Sequence, residues 1–194
     1  IVFSDADLVR RTREGDMQAY GTLVAKYQDR ILNLLLRMTG RRADAEELAQ
    51  ETFLKALERI GQFRGKSQFY TWLFRIAANL AISHRRRGGR VKFRTLSGYD
   101  DFDQTQADVL TAEVSRKRSP DPQSSVLAGE LRRRVLDALE ELEEDFRLVV
   151  LLRDMEDMDY AGIAGILAVP VGTVKSRLHR ARCMLKEKLA DLMP

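Results

Sequence analysis

"YAGIAGILAVPVGTVKSRLHRAR", residues 160–182, decides the fold class, because it holds two short amphipathic segments separated by a sharp break. Ile163, Ala164 and Leu167 give the first segment an apolar face. Val169-Pro170 ends it, since proline can open a helix but hardly continue one. Residues after Pro170, set about 100° apart around a helix, divide into two surfaces. Val171, Val174, Leu178, Ala181 and Leu185 fall on one side. Gly172, Lys175, Ser176, His179, Arg180 and Cys183 fall opposite, flanked by Arg177 and Arg182. Ile163, Leu167, Val169, Val174 and Leu178 can fasten the two segments together, with small Ala164 where they approach. The pattern is that of a helix-turn-helix, whose second helix enters the DNA major groove. The competing reading is an ordinary helical hairpin with a solvated basic face. Ala168 stands at the turn, where glycine is the easier residue. Gly162 and Gly165 each cost the first segment roughly 1 kcal/mol against alanine.

Charge supports the DNA reading by its placement. The 194 residues carry a net charge of only +4, a modest bias. Between Leu136 and Tyr160, however, there are ten acids against Arg147 and Arg153, whereas Thr173 to Lys188 holds six Lys/Arg and one acid. One part repels phosphate and the next attracts it, which favours a directed surface over general stickiness. The single Cys183 excludes an internal disulfide and fits a reducing compartment. His179 and Cys183, four apart, lack a third ligand, so no metal site is expected. No apolar run reaches membrane-spanning length and no signal-peptide pattern is present; "ILNLLL" (31–36) is too short. The start at Ile1 is read as a chain trimmed by a few residues.

Working outward, the chain reads as all-α, with no alternating run long enough for a sheet. Its length suits one large domain or two small ones. Two small helical domains, 1–90 and 126–194, flank a flexible linker over 91–125. In the first block, Asp5 to Glu14 and Asp16 to Thr39 read as helices stopped by Gly15 and Gly40. Asp44 with Glu47 forms a capping box that opens a helix with apolar Ala45, Leu48, Ala49, Phe53, Ala56, Leu57 and Ile60. Ser67 caps a long helix that ends at Arg85 to Arg87 before Gly88-Gly89. The linker mixes Gly, Ser, Pro and charge, with a short helix over Ala107 to Val114. Helical periodicity resumes at Val126, with core stripes at Leu131, Val135, Leu139 and Leu142, then at Phe146, Val149, Val150 and Leu152 to Met155.

The helix after Ser67 needs a second explanation. Phe69, Leu73, Ile76, Ala77 and Leu80 form its core face, while Gln68, Trp72, Arg75, Asn79, Ser83 and Arg86 line an adjacent stripe. An aromatic plane, amides and guanidinium groups in one stripe stack on unpaired bases, read base edges and hold phosphates. Phe63, Arg64, Lys66 and Ser67 in the preceding loop can line a pocket for an extruded base. Trp72 taken alone would more simply be part of a core margin.

"DAEELAQETFLKALERIGQFRGKSQFYTWLFRIAANLA" (44–81), followed by "YAGIAGILAVPVGTVKSRLHRAR", resembles the extracytoplasmic-function (ECF) sigma factors, which keep only regions 2 and 4 of larger sigma factors. The resemblance covers nearly the whole chain apart from the linker. It implies that the first domain docks on the β′ clamp helices of core RNA polymerase through Asp44, Glu47, Leu48, Gln50, Glu51, Leu54 and Lys55, with β as a further contact. It implies that Phe63, Arg64, Lys66, Ser67, Phe69, Tyr70, Trp72, Arg75 and Asn79 open the promoter −10 element. Tyr160, Thr173, Lys175, Ser176, Arg177, His179 and Arg180 would read the −35 element. The implied partners are core polymerase, promoter DNA and an anti-sigma factor, in the bacterial cytoplasm, with no cofactor. Glu143 stands where members often have proline, Asp157 and Ala168 where glycine is common, and residues 160–167 lack the usual acids. The alternative is an autonomous helix-turn-helix regulator. No catalytic constellation or Gly-rich phosphate loop points to an enzyme.

Overall fold

Ser4 starts the first helix by accepting the Asp7 amide (3.2 Å), and Asp16 starts the second by accepting those of Gln18 and Ala19. Both satisfy donors that a helix start leaves without partners. The computed structural model describes residues 3–92 and 122–190. The expected helix over Ala107 to Val114 and most of the linker lie outside the described residues. The element order is α1 (Asp5–Arg13), α2 (Met17–Thr39), α3 (Arg42–Arg59), a 3-10 turn (Ile60–Gln62), α4 (Phe69–Lys92), α5 (Pro122–Glu140), α6 (Glu144–Val150), a wide π turn (Leu151–Met155), α7 (Tyr160–Leu167) and α8 (Val171–Lys188). The described residues contain no strand, as the all-α reading expects.

Some boundaries differ from those expected, each for a physical reason. Asp44 and Glu47 do not cap α3, which begins at Arg42 behind Arg41 with no side-chain cap. Asp44 instead faces His84 of α4 at 3.3 Å and sits in the first turn, where the helix dipole favours an acid. Ser67 lies two residues ahead of α4 rather than capping it. Helix α4 continues through Gly88-Gly89 to Lys92, and α5 begins at Pro122 rather than Val126; proline in the first helical position costs nothing in amide bonds. Three residues assigned to core stripes are exposed: Leu131, Met155 and Val171. Met155 ends the π turn, whose i+5 bond from the Glu156 amide to the Leu151 carbonyl (3.1 Å) breaks the helical register of that stripe.

The helix-turn-helix is present as read. Helices α7 and α8 meet at 99°, pinned by buried Ile163, Val174 and Leu178. Ala168 at the turn has φ +55° and Asp157 has φ +51°, so the two positions where the resemblance leads one to expect glycine are the two left-handed non-glycine residues described. Left-handed backbone crowds a Cβ, and the turn holds because the Ala168 amide is bonded to the Ala164 carbonyl.

The two blocks pack on one another. One apolar core runs from Leu23, Ile31 and Leu35 to Val149, Leu152 and Ile163, with α7 against α4 and with α5 and α6 against α2. Arg30 of α2 reaches Glu156 at 2.8 Å. Arg147 of α6 is 2% exposed, and its guanidinium donates to the carbonyls of Leu142 (3.2 Å), Glu140 and, across the blocks, Met38 (3.4 Å). Burial, then the nearby Arg85 charge, pull its pKa down to about 10.

Candidate nucleic-acid interface

The acidic half of the second block neutralises part of the basic half, and this decides which cations remain for DNA. Arg177 pairs with Asp145 at 2.6 Å, Arg182 with Asp154 and Lys188 with Glu141. The hydrogen bonds that Arg182 donates to Asp154 hold its pKa above the usual value. Lys175 and Arg180 are exposed and make no ion pair with a described residue. Lys175 lies 5.6 Å from the centre of the Tyr160 ring, whose neighbour on another approach is Arg153 at 5.2 Å. That half-buried tyrosine therefore steers the Lys175 ammonium by cation–π attraction. Ser176 bonds the Thr173 carbonyl at 3.0 Å, and Thr173 is half-buried. His179 is exposed, 3.9 Å from Cys183 Sγ. Of the seven residues expected at this face, Lys175, Ser176, His179 and Arg180 are exposed, Tyr160 and Thr173 are half-buried, and Arg177 is turned to Asp145. The start of α8 carries no side-chain cap, leaving backbone amides that suit a phosphate.

On α4 the expected stripe is also real. Gln68, Arg75, Asn79, Ser83 and Arg86 are exposed and Trp72 is half-buried. Arg64, Lys66 and Ser67 are exposed in the loop beside it, where Gly65 has φ +68°. Phe63 and Phe69 are buried, at 8% and 4%. They stack with Trp72 at 5.3 Å and 5.7 Å between ring centres, and Phe69 meets Tyr27 at 5.9 Å. These aromatics form the floor on which Trp72 rests, and Tyr70 is half-buried beside it. The arrangement places an aromatic edge (Trp72), an amide (Asn79) and a guanidinium (Arg75) along one helix.

A groove of about 540 Å³ runs between α2 and α3. Val24, Leu32, Ala49, Phe53 and Leu57 give it an apolar lining, edged by Gln28, Asp29, Glu46 and Gln50, with exposed Leu54 at its rim. Tyr20 closes one end, its hydroxyl donating to the Phe53 carbonyl; burial pushes that phenol up to about 12. Of the residues expected to dock on polymerase, Gln50 and Leu54 border this groove. Glu47 is exposed outside it, Glu51 pairs with Lys55 at 2.5 Å, Asp44 faces His84, and Leu48 is buried at 3%. The α2 half of the groove was not foreseen. The signal was available, since Val24 and Leu32 leave an apolar edge on α2 beyond its main core stripe.

Among the described residues no single helix is long and apolar enough to cross a membrane, and no group of His, Cys, Asp or Glu could hold a metal ion. Sigma-70 region 2 matches residues 23–91 and Sigma-70 region 4 matches residues 132–185. The chain is 37% identical over 190 residues to the ECF RNA polymerase sigma-E factor of Haemophilus influenzae, covering 98% of this chain and 97% of that one. It is 37% identical to the RNA polymerase sigma-H factor of Pseudomonas aeruginosa, covering 97% and 95%. Its fold is that of CnrH in complex with the cytosolic domain of CnrY (TM-score 0.67, 22% identity, 96% and 97% covered). It also matches the sigma factor RpoE in complex with the anti-sigma factor NepR from Bartonella quintana (TM-score 0.66, 24% identity, 88% and 96% covered). With both region models matched in order and relatives aligned end to end, the chain belongs to the ECF family of RNA polymerase sigma factors.

Proposed function

We propose that the three surfaces divide promoter initiation among them. Lys175, Ser176, His179 and Arg180 on α8, with Tyr160 positioning Lys175, read the −35 element in the major groove. Trp72, Arg75 and Asn79 on α4, with Arg64, Lys66 and Ser67 in the loop, hold the opened −10 strand above the Phe63–Phe69 floor. The groove between α2 and α3 takes a helical element of core polymerase, its apolar lining gripping one face of the helix and its polar edges fixing the register. The chain supplies binding energy and leaves bond chemistry to polymerase. It works where polymerase and chromosome are, in the bacterial cytoplasm. An anti-sigma factor is its regulator, by analogy with the RpoE–NepR complex above. The observation that carries this reading is the pairing pattern on α8: Arg177, Arg182 and Lys188 are tied to acids, while Lys175 and Arg180 stay available on one face.

Lys175→Ala and Arg180→Ala are expected to weaken discrimination at −35 by about 1–3 kcal/mol per lost base contact and to leave polymerase binding intact. Transcription from a native promoter and from one mutated at −35 measures this. Equal discrimination by variant and wild type would remove the α8 face from promoter reading. Arg177→Ala is expected to act mainly on stability, through the lost Asp145 pair.

A further inference from the structure

Arg182 stands on the DNA-facing edge of α8, yet its guanidinium is occupied within the chain. It follows Lys175 by seven residues, two turns of helix, so the two share one line about 10 Å apart. The major groove is about 12 Å wide. A helix that sets Lys175 at the bases therefore carries Arg182 to the groove wall, where the phosphates run. The Arg182 side chain is 53% exposed, against 26% for Arg177, which is held by Asp145 on the other flank. Position, reach and charge all suit Arg182 to a phosphate.

Asp154 takes that place instead. Its carboxylate accepts from Arg182 Nε (3.3 Å) and from Nη2, the paired two-oxygen contact that a guanidinium otherwise makes to phosphate. Asp154 lies in the π turn, anchored by buried Leu151 and Leu152, and α6, which leads into that turn, packs along α8. The carboxylate is thus fixed in place before DNA arrives. Moving Arg182 to a phosphate would exchange one anion for another and leave Asp154 unpaired beside the duplex, where it repels the backbone. We propose that Asp154 limits affinity: it keeps Arg182 off the phosphates and so caps the sequence-independent part of DNA binding by α8. The proposal rests on the reading of α8 given above. A phosphate contact carries no sequence information, and every competing site on a chromosome gains from it equally. With Arg182 paired, binding by this face depends on Lys175 and Arg180, and the chain is not held on random DNA away from polymerase.

Fluorescence anisotropy of the full chain with a dye-labelled duplex of random sequence, over a salt series, measures this term, and thermal unfolding reports folding. Each further phosphate contact steepens the fall of log affinity with log salt by about 0.9. Asp154→Ala is expected to steepen it by that amount, so that its advantage over wild type grows about eightfold as salt falls tenfold. Arg182→Ala alone is expected to keep the wild-type slope, and the double variant Asp154→Ala/Arg182→Ala to lose the gain. Weaker binding by Asp154→Ala would mean that the carboxylate braces Arg182 on a phosphate, and would overturn the proposal. A gain that survives in the double variant would reduce Asp154 to general repulsion and overturn it as well. Lys175→Ala separates these outcomes from the reading of α8, since it is expected to flatten the slope. An unchanged slope there would bring down the α8 reading and the proposal with it. A flatter slope there, beside an unchanged one in Asp154→Ala, would overturn the proposal alone. Should Asp154→Ala unfold, Asp154→Asn, which keeps the size and removes the charge, decides by the same outcomes.

Discussion

Arg147→Ala is expected to lower the unfolding free energy by about 3 kcal/mol. The guanidinium is 2% exposed and serves the carbonyls of Glu140, Leu142 and Met38 at once. Removing it leaves the Met38 and Leu142 carbonyls without this donor in a buried region, and leaves a cavity the length of an arginine side chain. Arg147→Lys keeps a charge but loses the planar fork that reaches several carbonyls, so an intermediate loss is expected. Because the residue joins the end of α5 to the end of α2, the loss should appear in the unfolding of both blocks. Urea titration followed by circular dichroism measures it. A loss below about 1 kcal/mol would mean that the carbonyls find other donors, and the inter-block role of Arg147 would fail with it.

Trp72→Ala is expected to reduce open-complex formation by about 5- to 150-fold, the equivalent of the 1–3 kcal/mol that one base–aromatic stack supplies. Opening costs a few kcal/mol per unpaired base, so one lost stack removes a large share of what offsets it. The structure also assigns Trp72 a packing role, against Phe63 at 5.3 Å and Phe69 at 5.7 Å. Some thermal stability should therefore be lost as well. The two roles separate on a template already melted at −10. There the unpairing cost has been met, and most activity should return. Permanganate reactivity of the −10 thymines follows opening directly. A variant that stays inactive on the bubble and loses polymerase binding would reduce Trp72 to packing alone.

What was legible in the sequence depended on how local its cause was. Gly15 and Gly40 ended α1 and α2 as read, because a left-handed stop belongs to the residue itself; Gly40 has φ +71°. The exposed stripe of α4 followed from helical spacing, and so did the fastening of α7 to α8. Asp44 carried a sound local signal for a capping box, yet His84, on another helix, took its carboxylate. Arg147 could not be placed at all: it read as one of two bases in an acidic stretch, while its partners are backbone carbonyls, one of them 109 residues away. Arg177 looked like a flank of the basic face, and only the folded position of Asp145 turns it inward. The groove was half visible, through α3, because its other wall comes from a different helix. Gly162 of α7 reads as a weakness in its helix, yet a Cβ there would lie 2.8 Å from the Asp159 carboxylate that caps the same helix.

Run-off transcription with purified core polymerase on genomic fragments, with and without the chain, tests the account most directly. Discrete start sites are expected only when the chain is present, each preceded by a shared pair of elements at −35 and −10 spacing, with the free chain showing little affinity for the same duplexes. Tight, site-specific duplex binding by the chain alone, with no start sites gained by polymerase, would contradict it.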